Sequence, residues 1–94
     1  MTSKFDAHFP LGLVVSTPGA IDLLDRSGTN ASHLLARHQS GDWGTVCATD
    51  AKLNDQAVID GARVLSAYVL GSERLWIITE ADRSVSTILL PSEY

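Results

Sequence analysis

The sequence is poor in cysteine, proline and basic residues, with one Cys, three Pro and seven Lys plus Arg among 94 residues. A lone cysteine closes no internal disulfide and builds no cysteine-rich zinc site. Flanked by Val46 and Ala48, Cys47 reads as a small buried hydrophobe, with a reactive thiol as the alternative. The low proline content, with 45% hydrophobic and 19% charged residues, excludes a disordered chain. It leaves a single domain over 1–94, with only 1–9 as a candidate flexible segment. Seven basic against eleven acidic residues give a net charge of −4. That balance argues against a non-specific nucleic-acid binder, which needs a basic face to neutralise phosphates. It is also too mild for a DNA mimic, which carries long acidic runs. No apolar run reaches membrane-spanning length. "MTSKFDAHFPLGLVV" has no signal-peptide pattern. The expectation is a cytoplasmic protein away from membranes.

What is present is periodic. "LGLVV" (11–15) is a short apolar run suited to an edge strand. In "STPG", Thr17 is placed to cap a helix and Pro18 to occupy its first position, where the missing N–H costs nothing. Ile21 and Leu24 share a face of this helix with Leu23 beside them, and Gly28 ends it. Asn30 caps a second helix, on which Ala31, Leu34, Leu35 and His38 form one stripe, and Gly41 supplies a left-handed stop. A third helix is expected from Asp50 through Leu53, Ala57 and Val58 to Gly61.

From Ala62 the pattern becomes that of strands. "ARVLSAYVL", "RLWIIT" and "VSTILL" are β-branched and aromatic, and the short links "GSE" and "EADRS" imply an antiparallel meander. The fold expected is therefore α+β: short helices followed by a three-stranded antiparallel β-meander, with room for an added N-terminal strand. Leu24, Leu34, Leu35, Leu65, Trp76 and Ile78 fall on core-facing stripes. "RLWIIT" is apolar on both sides, which leaves one sheet face to be covered by the N-terminal segment or by another chain. A homodimer or docking onto a larger protein follows as an expectation.

"TPGA", "RHQSGDWG", "GARVLSAY" and "WIITEADRSVSTILLPSEY" together resemble a family of small proteobacterial proteins of plasmids and integrated elements. Its members often carry the labels "type I restriction endonuclease subunit M" or "plasmid-related protein". The resemblance covers nearly the whole chain, with Ser86 before Thr87 where a Thr-Thr pair is the pattern. It implies a mobile-element setting. It does not imply methyltransferase chemistry, because 94 residues cannot hold that fold and no Gly-rich cofactor loop follows a strand.

The residues that could carry chemistry are few. His33 and His38 stand about 140° apart around a helix, whereas two ligands of one ion want the i, i+4 spacing. No metal and no cofactor are expected. Ser66, Ser84, Ser86 and Thr87 offer hydroxyls, but no Gly-x-Ser-x-Gly elbow is present.

Helices before an antiparallel sheet also match small ribonucleases of the barnase, colicin E5 and RelE type. In that reading His38 trades protons with the 2′-hydroxyl or the leaving oxygen, while Arg63 and Arg83 stabilise charge on the phosphate. The bland account of "RHQSGDWG" is a helix end: Asp42 accepts from turn amides, the glycines allow tight angles, and Trp43 covers the core edge. The charges of "TEADRS" likewise suit a solvated turn. The preferred reading is a small protein-binding or regulatory protein of a mobile element, with inhibition of a host defence system as one form of it. The ribonuclease-like toxin, or a degenerate relative, is the alternative. If a binding site exists, His38, Asp42, Trp43, Arg63, Tyr68 and Arg83 are the residues expected to form it.

Overall fold

A computed structural model of the chain describes residues 7–94. Three helices and four strands follow one another as β1 (Leu13–Ser16), α1 (Pro18–Ser27), α2 (Ala31–Gln39), α3 (Ala48–Asp60), β2 (Val64–Leu70), β3 (Glu73–Thr79) and β4 (Val85–Leu89), with a final 3-10 turn at Pro91–Glu93. The caps form where the sequence places them. Thr17 Oγ1 accepts the Ala20 N–H at 3.2 Å ahead of Pro18, and Asn30 Oδ1 accepts the Ser32 N–H at 2.9 Å. Gly28 closes α1 in the left-handed region, at φ 67°, a conformation that a Cβ disfavours. The third helix starts at Ala48, two residues before the expected Asp50, and ends at Gly61. Cys47 is its N-cap residue and is exposed. The reading as a buried hydrophobe is corrected, because the first turn of a surface helix turns this side chain to solvent.

The meander is present as β2–β3–β4, paired antiparallel with Leu65 opposite Ile78 and Ile77 opposite Ile88. It belongs to a larger sheet. β1 joins β4 in parallel, Leu13 opposite Val85 and Ser16 opposite Ile88, giving the order β1-β4-β3-β2. The sheet is therefore four-stranded and mixed, not a three-stranded antiparallel one. Parallel neighbours need a long crossover, and the helices with β2 and β3 supply it between β1 and β4.

α1 and α2 pack on one sheet face through Ala20, Leu23 and Leu34 against Tyr68, Leu75, Ile77 and Ile88. A second cluster of Phe9, Trp43, Ala57 and Val64 ties the N-terminal segment and α3 to β2. Phe9, within the candidate flexible segment, is buried; residues 1–6 of that segment lie outside the described residues. Of the six expected core residues, Leu34 and Ile78 are buried, whereas Leu24, Leu35, Leu65 and Trp76 are half-buried. Leu24 and Leu35 pack at the margin of this core and line the groove beside β1. Trp76 alternates with Leu75 and Ile77 and so lies on the opposite face, where the Tyr94 ring packs edge-on at 5.6 Å.

The two sheet edges differ. Along β2, the Ala67 N–H donates to the Trp43 carbonyl at 3.1 Å and its carbonyl accepts from the Thr45 N–H at 2.7 Å. One turn of strand away, the Asn54 amide pairs with both backbone groups of Leu65, donating to the carbonyl at 2.7 Å and accepting from the N–H at 3.2 Å. That edge is closed along Leu65 and Ala67; the outward groups of Val69, at the hairpin end, have no partner among the described residues. At β1, the Leu13 and Thr17 N–H groups donate inward to Ser84 and Ile88 carbonyls at 2.9 and 3.0 Å. Strand alternation then turns the N–H and C=O of Val14 and Ser16 outward. No described residue pairs with them.

Candidate functional site

"RHQSGDWG" is a junction in which each polar side chain already has an internal task. The Arg37 guanidinium grips Asp42, Nε to Oδ2 at 2.7 Å and Nη2 to Oδ1 at 3.3 Å. This pairing holds the Asp42 carboxyl below its ordinary pKa. Asp42 Oδ1 also accepts the Gly44 N–H at 3.2 Å, and Tyr68 Oη donates to the Asp42 carbonyl at 2.8 Å. Burial is the main cause that pushes the Tyr68 phenol up to about 12. Trp43 is buried, with Nε1 donating to Asp55 Oδ1 at 2.9 Å. Gly44 runs so close to β2 that a Cβ there would stand 1.9 Å from the Ala67 carbonyl oxygen.

His38 has 0% of its surface exposed. Nδ1 lies 2.5 Å from Ser66 Oγ and Nε2 lies 2.8 Å from Thr79 Oγ1. Thr79 Oγ1 is 2.7 Å from Ser86 Oγ, which donates to the Leu11 carbonyl at 2.7 Å. The Leu11 carbonyl can only accept, so the single Ser86 hydrogen goes there and Thr79 must donate to Ser86. Thr79 then accepts from His38 Nε2–H, and Nδ1 accepts from Ser66. The chain of bonds thus closes on a neutral, Nε2-protonated imidazole. The Phe9 and Trp43 rings meet it edge-on at 5.2 and 5.7 Å. Burial first, and the Arg83 charge second, lower its pKa to about 4. This histidine stitches α2 to β2, β3 and β4, and reaches the residue two before β1.

Arg63 lies elsewhere. Its Nη1 donates to Tyr94 Oη at 2.8 Å, above a ring that rests on Trp76. It therefore occupies the sheet face away from α1 and α2, whereas Ser66 and Thr79 turn toward His38 on the helix side. His38 and Arg63 do not converge, and the ribonuclease reading finds no shared site for them. Arg83, the one non-glycine residue at positive φ among those described (61°), donates to the Ala57, Ala62 and Glu80 carbonyls at 3.0, 2.7 and 3.2 Å. It also lies 5.2 Å over the Phe9 ring. Its charge closes the end of α3 instead of pairing within the solvated turn that "TEADRS" suggested. Among the described residues, no three His, Cys, Asp or Glu side chains gather to hold a metal ion.

The feature with surface to offer was not among the expected site residues. A groove of about 710 Å³ runs beside the open edge of β1. Val14 and Ser16 of β1, Ile21, Leu24 and Asp25 of α1, and Ala31 and Leu35 of α2 line it, together with Ile88 of β4. Ile21 is 56% exposed and Val14 40%. Ser16 Oγ is buried with no hydrogen-bond partner among the described residues. The signal available in the sequence was the absence of charge in "LGLVVS"; that Ile21 is exposed while the adjacent Ala20 is buried is visible only in the fold. No family model, curated protein or solved structure matches the chain.

Proposed function

We propose that this chain is a protein-binding module that engages a partner through the open edge of β1 and the apolar groove beside it. The observation that carries the reading is the contrast between the edges. β2 is capped at Leu65 and Ala67 by an asparagine amide and by backbone, with only Val69 left at its hairpin end, whereas β1 presents unpaired backbone groups along its length with no charged residue, proline or bulge to discourage pairing. An uncharged, open edge strand is a template for another strand, and edge addition is a common mode of peptide recognition. The groove falls within the size range of small-ligand sites, about 300–1,000 Å³. The internal engagement of His38, Arg83, Asp42 and Tyr68 favours binding over turnover.

The resemblance to plasmid-borne proteins supports a cytoplasmic partner met in the life of a mobile element, with a component of host defence as one such partner. The second chain anticipated for the open sheet face is less needed there, because the C-terminal Tyr94 packs on Trp76.

Val14→Pro tests the reading. The Val14 N–H points outward, so proline removes a donor to the partner and none from the sheet. A partner captured by the wild-type chain, purified and titrated against both forms, should bind the wild type and lose at least tenfold in affinity for the variant. The amide shifts of the variant outside β1 should remain those of the folded chain. Equal affinity for both forms, or a binding footprint on the Trp76 face, would contradict it.

A further inference from the structure

Building on that reading, we infer that the occupant is an extended segment of a partner protein. It lies along β1 as a fifth strand, sets apolar side chains into the groove, and carries a lysine or arginine opposite Asp25. The backbone part of this rests on Val14 and Ser16, whose outward groups provide the rungs for one added strand. The side-chain part follows from strand alternation. Every second residue of the added strand faces the groove, whose walls are Ile21, Leu24 and Leu35.

The charge part rests on Asp25, the one charged residue lining the groove. Its carboxylate pairs with no cation among the described residues, whereas the neighbouring Asp22 is held by Arg26 at 2.8 Å. The net charge of −4 adds a long-range preference of the same sign. Ser16 Oγ, buried and unpartnered, gives the occupant a further polar contact.

A second copy of this chain fits less well. Antiparallel pairing about a two-fold axis at Val15 would join Val14 to Ser16 of the other copy, so that the added strand itself would bring only valine and serine side chains toward the groove. It would also bring a second uncompensated Asp25 to the same interface.

The test uses two fluorescein-labelled octapeptides with threonine on the outer positions and leucine on the groove-facing positions, one of which is lysine in the first peptide and glutamate in the second. Binding is measured by anisotropy with the wild type, Asp25→Asn and Val14→Pro. Amide shifts of the wild type give an independent footprint. The lysine peptide should bind about fivefold more tightly than the glutamate peptide, the scale of one exposed ion pair, and salt should narrow the gap. Asp25→Asn should remove most of the difference, leaving only the small long-range preference of a net negative chain, and Val14→Pro should weaken both. Equal binding of both peptides to the wild type, still lost in Val14→Pro, would overturn the charge assignment and leave the edge reading standing. Binding unaffected by Val14→Pro with a footprint away from β1, or no binding of either peptide, would overturn both. A peptide-free dimer whose Val14 and Ser16 amides are protected would make the second copy the occupant and overturn this inference.

Discussion

Acid should unfold this protein through His38 before it does so through the carboxylates. The imidazole is enclosed by α2 and three strands, and its pKa is lowered from 6.5 to about 4. Because the folded value lies below the unfolded one, the unfolded chain binds the proton first as the pH falls. Stability is full above about pH 6.5 and is lost progressively from there down to about pH 4, where the folded form protonates too. At about 1.4 kcal/mol per pH unit, the loss is roughly 3 kcal/mol, a large share of the roughly 5–15 kcal/mol typical of a domain.

The Asp42, Asp82 and Glu93 carboxyls are held below their ordinary values, so their contributions begin to fall only at the lower end of this window and are lost mainly below it. Urea unfolding across pH 4–8 reads the effect as a falling midpoint at constant slope. His38→Phe should cost about 2–5 kcal/mol at pH 7, because the Ser66 hydroxyl loses its acceptor and Thr79 its donor. It should also remove the loss between pH 6.5 and 4. The same loss in His38→Phe, or an NMR titration of His38 with a midpoint near 6.5, would refute the reasoning.

Two further predictions concern how the β2 edge is closed. Gly44→Ala combines a φ of 74° with a Cβ set 1.9 Å from the Ala67 carbonyl oxygen, and should destabilise by about 3 kcal/mol or more; an unchanged thermal midpoint would mean that 43–45 does not lie against β2. Asn54→Leu keeps the bulk but strips both partners from Leu65, which should cost about 2 kcal/mol or more and raise concentration-dependent association as the edge opens. Urea midpoints and light scattering check it, and a stable monomer would show that the amide is not what closes the edge.

What the sequence made legible was local. Thr17-Pro18, Gly28, Asn30 and Gly61 mark helix ends by backbone chemistry confined to a few residues, and the two short links of the meander leave little choice of topology. The stripe through Leu34, Leu35 and His38 gave a core-facing side, and His38 is indeed enclosed. Its partners were out of reach, because Ser66, Thr79 and Ser86 are brought together by strand register. The same holds for β1, whose parallel pairing with β4 joins residues more than seventy positions apart. Leu24 and Leu35 have core spacing, but a stripe does not say where the core beneath it ends. Arg63 could have been separated from His38 by alternation alone, since Arg63, Leu65 and Ala67 turn to the face opposite Ser66. The fivefold spacing of His33 and His38 told against one shared ion, and the buried end of that helix is occupied by hydroxyls.

The central claim is that β1 presents an open edge, and amide hydrogen exchange of the isolated, monomeric chain tests it most directly. Leu13, Val15 and Thr17 should be protected by their bonds to β4, while Val14 and Ser16 exchange as solvent-facing amides and slow only when a partner binds. Protection of Val14 and Ser16 equal to that of their neighbours in the free monomer would show the edge already covered, and would contradict the account.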